Sequence, residues 1–397
     1  MIHNKDIIIF GLQPWDISIG SNCKNIAIEL AKHNRVLYVN RPLDRRAWLE
    51  GKQDNITQNR LAVLKGEKEA LELVQDNLWV LTPPIIMESL QWFKSYRLFQ
   101  WFNKRNNRKL ANIIQEYRHQ LGFEDFILFN DSAMFQGSYL NEFLNPEWFI
   151  YYIRDYLIAQ PYFKKHGAQA EQAIIQQADI VVTNSTYLMN YAKQYNEESY
   201  YIGQGCDLEF FNVEQVQESH PLLKDIHQPI IGYVGALTSQ RLDVDLLVWL
   251  AQRNPQWTFV FIGKEDEVFQ NSALHQCANV RFLGFQKMDV LASFIYGFDV
   301  CINPQLKNEM SEGNYPRKID EYLAMGKPVV ATRTKGMEVF KDFVGLASSK
   351  EAFEVLIQTV LNKTNPINPQ ERIAFAQSHT WENSLLSMWK AMLNHRA

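Results

Sequence analysis

Cysteine is scarce in this chain of 397 residues: the four, Cys23, Cys206, Cys277 and Cys301, lie far apart and form no C-x-x-C pair. Zinc ribbons and disulfide frameworks need thiols at close, repeated spacing, so a reducing compartment is expected. The nine histidines are dispersed without H-x-x-x-H spacing, and no transition-metal site emerges from them. No apolar run approaches the ~18 residues of a membrane helix. Met1 leads through a polar turn into an apolar strand, not into a charged-then-apolar leader, so a cytoplasmic location is expected. Positive charge is not in excess: a formal net charge of −4 argues against nucleic acid as the main partner. No G-x-G-x-x-G follows the first strand, and a nicotinamide-dependent dehydrogenase thereby lacks its main fingerprint.

What is present is an ordinary globular composition, 46% hydrophobic and 21% charged, in a chain longer than one core usually holds. Short apolar runs at 7–10, 35–40, 78–81, 126–129, 149–153, 180–183 and 200–202 read as strands, with helical patterns between several of them. The pattern restarts at 229–234 and continues through 259–262, 280–283, 299–303 and 329–332. Such alternation predicts an α/β fold with parallel sheets covered on both faces. The polar, turn-rich stretch 203–228 reads as a linker. The expected domains are 1–203 and 204–379, with a last helix from about 380 to 397 crossing back to the first.

The most informative stretch is 314–332, NYPRKIDEYLAMGKPVVAT. Pro316 suits a first helical turn, Gly326 a left-handed stop, and Pro328 prevents continuation. Arg317, Lys318 and Glu321 then share the opening turns of a short helix, where cations suit phosphate and a carboxylate suits the hydroxyls of a ribose. Taken alone, the same spacing equally describes surface pairs worth ~0.2–0.5 kcal/mol.

The run P-x-K-x-x-E-Y-x-A-x-G-K-P-V-V resembles the donor-nucleotide motif of retaining, two-domain GT-B glycosyltransferases, the large bacterial group that uses nucleotide-sugars. The resemblance spans nearly the whole chain. It implies two Rossmann-like domains facing a cleft, with a nucleoside-diphosphate sugar bound by the second, Glu321 at the ribose, and no cofactor. Many members carry an earlier glutamate that touches the sugar; here Gly313 holds that position, with Glu312 beside it.

The stretch 231–237, IGYVGAL, resembles the family's phosphate loop, with Gly235 permitting close backbone approach and Thr238 or Ser239 as helix cap. Arg241 matches a family lysine that clamps the diphosphate, while Ala236 stands where an arginine is usual. Lys318 is the expected substitute, ahead of Arg317 and Lys264. Asp243 and Asp245 suggest a D-x-D metal motif, but Leu242, Leu246, Leu247 and Leu250 impose helical spacing around them. A metal-independent enzyme is therefore expected.

In the first half, the loop GLQPWDISIGSN (11–22) resembles that of a subgroup with Trp-Asp after the first strand, which implies a cleft or acceptor role for Trp15, Asp16, Gly20 and Ser21. An ordinary strand–helix connection is the plainer alternative. At the end of YYIRD (151–155), Arg154 and Asp155 stand where relatives often have His-Asp near the reacting carbon. Arginine stays protonated and is a poor base, but it suits a leaving phosphate or an acceptor. The leaving diphosphate of such transferases is thought to take the acceptor proton itself.

Residues 88–109 interleave aromatics with lysine and arginine. The reading is either a core helix or a basic interfacial helix at an anionic bilayer on the inner face of the plasma membrane, with the second favoured. The resemblance implies transfer, with retention, to a carbohydrate or glycolipid acceptor in cell-surface glycan synthesis. A nucleotide-sugar epimerase or hydrolase on the same fold, and a catalytically silent subunit of a polysaccharide-assembly complex, are the alternatives.

Overall fold

A computed structural model describes residues 2–17, 21–362 and 367–396. The chain forms two compact units, Met1–Gly203 with Trp381–Ala397, and Gln204–Thr380.

The first unit is built on β1 (Asp6–Gly11), β2 (Arg35–Val39), β3 (Leu43–Asp44), β4 (Leu71–Gln75), β5 (Leu78–Leu81), β6 (Ile86–Met87), β7 (Phe126–Asp131), β8 (Trp148–Ile153), β9 (Ile180–Thr183) and β10 (Ser199–Tyr201). Eight of these make one sheet in the order β10-β9-β8-β7-β1-β2-β5-β4, while β3 and β6 pair separately. Strands such as DIIIFG and WFIYYI are buried nearly throughout, because helices cover both faces and leave no polar alternation. Among the described strands only β4 runs antiparallel, and the chain turns from it into β5 through Asn77 at φ 62°. Its sequence LELVQ is half-exposed, so the apolar runs did not reveal it.

Ser21 caps the helix Asn22–Ala31, its Oγ accepting the Lys24 N–H at 3.3 Å. The last helix, Trp381–Arg396, joins the same core cluster through Trp381, Leu385 and Met388, alongside Ile26, Ala27 and Leu30. The basic–aromatic segment is helical only from Tyr96, in a helix running to Gln120. Before it, the Glu88 N–H donates to Asn106 Oδ1 at 3.0 Å, and the Glu88 carboxylate takes two bonds from Arg45 at 2.6 and 2.7 Å. These contacts anchor Glu88 outside the helix. Phe99 is wholly buried, and Phe93, Tyr96 and Phe102 pack on the core, so fewer aromatics face outward than the sequence suggested.

The second unit holds β11 (Ile230–Val234), β12 (Thr258–Ile262), β13 (Val280–Phe282), β14 (Val300–Asn303), β15 (Val329–Thr332) and β16 (Gly345–Ala347). All run parallel, in the order β13-β12-β11-β14-β15-β16. Strand order reverses between β11 and β14, and in the first unit between β1 and β7. In open α/β sheets the carboxyl ends of strands at such reversals open into ligand crevices. The candidate residues gather there.

Candidate functional site

In the second unit, β11 runs into Gly235 at φ 137°, a backbone conformation that side chains rarely adopt. A Cβ at Gly235 would stand 2.7 Å from Lys318 Nζ, so the absence of a side chain is what admits the ammonium. Lys318 opens the helix Lys318–Ala324; its ammonium lies 4.0 Å from the centre of the Tyr233 ring and bonds to the Tyr233 hydroxyl. From the same helix the buried Tyr322 accepts the Val234 N–H at 2.8 Å. Two tyrosines thus fasten the helix to the end of β11. Gly326, at φ 68°, closes the helix, and the Lys327 N–H returns to the Tyr322 carbonyl at 3.0 Å.

Glu321 rises from the same turn as Lys318. Burial pushes its carboxyl above the usual carboxylate range, with Arg317 and Lys318 pulling the other way. Glu321, of intermediate exposure, thus presents a carboxylate beside two cations. Arg317 occupies the cap position with helical backbone, φ −48°. Arg241 is exposed on the turn that follows Gly235. Gly313 ends the Glu309–Glu312 turn, and the neighbouring Glu312 carboxylate accepts the Lys335 N–H at 3.2 Å.

The caps differ from expectation. Ser239 does not cap the following helix: its N–H and Oγ both donate to Asp266 Oδ2, at 2.7 and 2.9 Å. Asp243 does, its Oδ1 accepting the Leu246 N–H at 2.9 Å, and the helix is Val244–Arg253. Asp245 sits in its first turn. Among the described residues no group of three or more His, Cys, Asp or Glu is placed to hold a metal ion.

Behind Glu321 lies a cluster that sequence reading missed. Asp320, wholly buried, accepts from Tyr315 Oη at 2.9 Å and Cys206 Sγ at 3.1 Å, and meets His379 Nδ1 at 2.7 Å. Burial, then Asp320, push the Cys206 thiol well up, so it stays protonated and donates. The cluster ties both ends of the unit to the helix that bears Glu321.

In the first unit, Gly11 and Asp131 end β1 and β7 at the reversal. A Cβ on Gly11 would meet Cys23 Sγ at 2.8 Å and Asp131 Cβ at 3.1 Å. Arg154, just past β8, bonds Asp131 Oδ1 through Nε at 2.9 Å and reaches Asp155 Oδ2 at 3.4 Å. Burial opposes its charge, but Asp131 and Asp155 outweigh that and hold the guanidinium above its ordinary value. Arg154 is thus a fixed cation. Trp15 is half-buried, its backbone N–H on Asn40 Oδ1 at 2.7 Å and its ring edge-on to Tyr38 at 5.2 Å. Asp16 accepts from the buried Arg60 at 2.7 and 3.0 Å and from Asn59 at 2.7 Å, which pins the loop. Ser21 is spent as a helix cap, and Gly20 lies outside the described residues.

Residues 228–362 match the family model for Glycosyl transferases group 1. A stretch of 171 residues is 27% identical to a protein of Bacillus subtilis (strain 168) named as a teichuronic acid biosynthesis glycosyltransferase, TuaH. It covers 41% of this chain and 42% of that relative, so the chain matches less than half of the relative's length. The whole chain is similar in fold to sucrose-phosphate synthase from Thermosynechococcus elongatus, with a TM-score of 0.67, 16% identity, and coverage of 98% of this chain and 99% of that one. Anabaena Alr3699/HepE in complex with UDP gives a TM-score of 0.65 at 15% identity, covering 98% and 100%. Its complex with UDP-glucose gives 0.62 at 16%, with the same coverage. The fold is GT-B.

Proposed function

We propose that this chain, whose second unit matches the group 1 glycosyl transferases, moves a sugar from a nucleoside-diphosphate sugar to a carbohydrate or glycolipid acceptor, with retention. The observation that carries the reading is the seat at Gly235: an ammonium held on Tyr233 beside a glycine turn, with the Glu321 carboxylate one turn along. In this reading Lys318, Arg241 and Arg317 answer the diphosphate charge, and Glu321 takes the ribose hydroxyls. The similar HepE structures hold UDP and UDP-glucose, which makes uridine nucleotides the first donors to try. The similarity to TuaH favours an acceptor in a cell-surface polymer.

Arg154 and Asp155 are assigned the acceptor or the leaving phosphate. A guanidinium fixed by Asp131 supplies charge and orientation, not proton removal. Trp15 and Asp16, after the first strand, are assigned a cleft or acceptor role. A bilayer with anionic lipid is the proposed partner of the 88–109 segment, supported by Trp92, Leu98 and Trp101, 67%, 52% and 58% exposed, interspersed with exposed Lys94, Arg97 and Arg105.

Donor turnover tests the reading. Release of free UDP from UDP-sugars is measured with and without oligosaccharide and lipid-linked acceptors, in EDTA and with added manganese. Acceptor-dependent release that persists in EDTA is expected. Release that ignores the acceptor indicates a hydrolase or epimerase, and loss in EDTA restored by manganese contradicts the metal-free assignment.

A further inference from the structure

The helix Lys318–Ala324 has seven residues. Isolated helices shorter than about 12–15 residues are marginal in water, so its rotation about its own axis is set by what its side chains grip. One side is gripped by β11: Lys318 bonds the Tyr233 hydroxyl, and Tyr322 accepts the Val234 N–H at 2.8 Å. At 3.6 residues per turn Asp320 points about 160° away from Lys318, and Glu321 lies between the two. What grips Asp320 therefore fixes where Glu321 points.

Asp320 is wholly buried, and both its oxygens are engaged. Oδ1 meets His379 Nδ1 at 2.7 Å, and Oδ2 accepts from Tyr315 Oη at 2.9 Å and Cys206 Sγ at 3.1 Å. The partners are themselves held. The Cys206 N–H donates to the His379 carbonyl at 2.9 Å, the His379 ring stands edge-on to Phe375 at 4.5 Å, and Tyr315 packs on Phe340 at 5.1 Å. Packing alone asks for no carboxylate here, since an apolar side chain would fill the space without the cost of desolvating a charge. Directed bonds add what packing does not, because a fully satisfied buried network specifies one arrangement.

We propose that Asp320 is a positioning residue for the donor: through Cys206, Tyr315 and His379 it locks the helix at the rotation that presents Glu321 to the ribose hydroxyls of a nucleoside diphosphate. The proposal rests on the ribose reading of Glu321 and adds to it a residue that never touches the nucleotide.

The test titrates UDP and dideoxy-UDP, which lacks both ribose hydroxyls, calorimetrically into wild type, Glu321→Ala, Asp320→Asn and the double variant. Wild type should prefer UDP by about tenfold, and Glu321→Ala should bind the two alike. Asp320→Asn should cut the preference to about threefold or less, with affinity for the dideoxy nucleotide within about twofold of wild type. In the Glu321→Ala background it should change neither affinity, because residues acting through one contact do not add. A role confined to stability would instead weaken both nucleotides equally, or neither. The proposal is overturned by full preference in Asp320→Asn, by equal weakening of both nucleotides, or by a further loss in the double variant. Should Asp320→Asn fail to fold, Tyr315→Phe, which removes one donor and keeps the carboxylate, decides by the same preference. No preference in the wild type would remove the ribose reading, and the proposal with it. A preference lost in Glu321→Ala but kept in Asp320→Asn would remove the positioning role alone.

Discussion

Lys318 illustrates what a single residue's sequence context conveys and what it omits. Its motif marks it as a cation for phosphate, but its partner Tyr233 lies 85 positions away, and nothing local announces the pair. Asp320 is starker: it adjoins Glu321 in sequence, yet Cys206 and His379 reach it from 114 and 59 positions away. Asp16 was legible as part of Trp-Asp, but not as the partner of Arg60, 44 positions on. Glu171 left no trace in the sequence at all. Buried in the first unit, it accepts from Tyr151 at 3.2 Å and Tyr191 at 3.0 Å, and burial pushes its carboxyl up to about 7. For an acid whose folded value exceeds its unfolded one, the folded state holds the extra proton between the two values. Stability therefore falls as pH rises from about 4.5 to about 7 and stays lower above that. Glu171→Gln should relieve this penalty, by up to about 3 kcal/mol at pH 8, and give little gain at pH 5. Thermal melts at the two pH values check it; equal gains at both would mean that Glu171 does not titrate there.

At the scale of elements, parallel strands were the easiest to read, because burial on both faces makes them continuous apolar runs. The half-exposed β4 and the three-residue β16 lacked that signature. The 88–109 segment shows why interleaved aromatics and cations are ambiguous. Helical spacing turns Phe99 and Phe102 inward while Leu98 and Trp101 face out, and residues before Tyr96 are not helical. Lys104 also proves less available than expected, since it pairs with Glu142 at 2.7 Å. The membrane test therefore belongs to Trp92, Leu98 and Trp101 with Lys94, Arg97 and Arg105. Replacing the three cations by Gln should lower co-sedimentation with anionic liposomes, each cation contributing about 1 kcal/mol near such a surface. Melting temperature should barely change, because exposed charges contribute little to folding. Binding equal to the wild type, or binding indifferent to salt, would return the segment to a role without lipid.

For the whole molecule, repetition of the strand–helix pattern made the fold class legible, and the structural neighbours share it across almost the entire chain. Candidate site residues were legible only where one short segment holds several charged groups, as 314–332 does. Its supports, Tyr233 on β11 and the Asp320 cluster, are assembled by topology from distant strands and loops. We propose that the second unit seats a nucleoside diphosphate, with Lys318 at the diphosphate and Glu321 at the ribose. Calorimetric titration of UDP into wild type, Glu321→Ala and Lys318→Met tests it most directly. A charged hydrogen bond of ~1.5–3 kcal/mol predicts roughly tenfold or greater weakening in each variant, with the fold intact by circular dichroism. Wild-type affinity in both folded variants would contradict it.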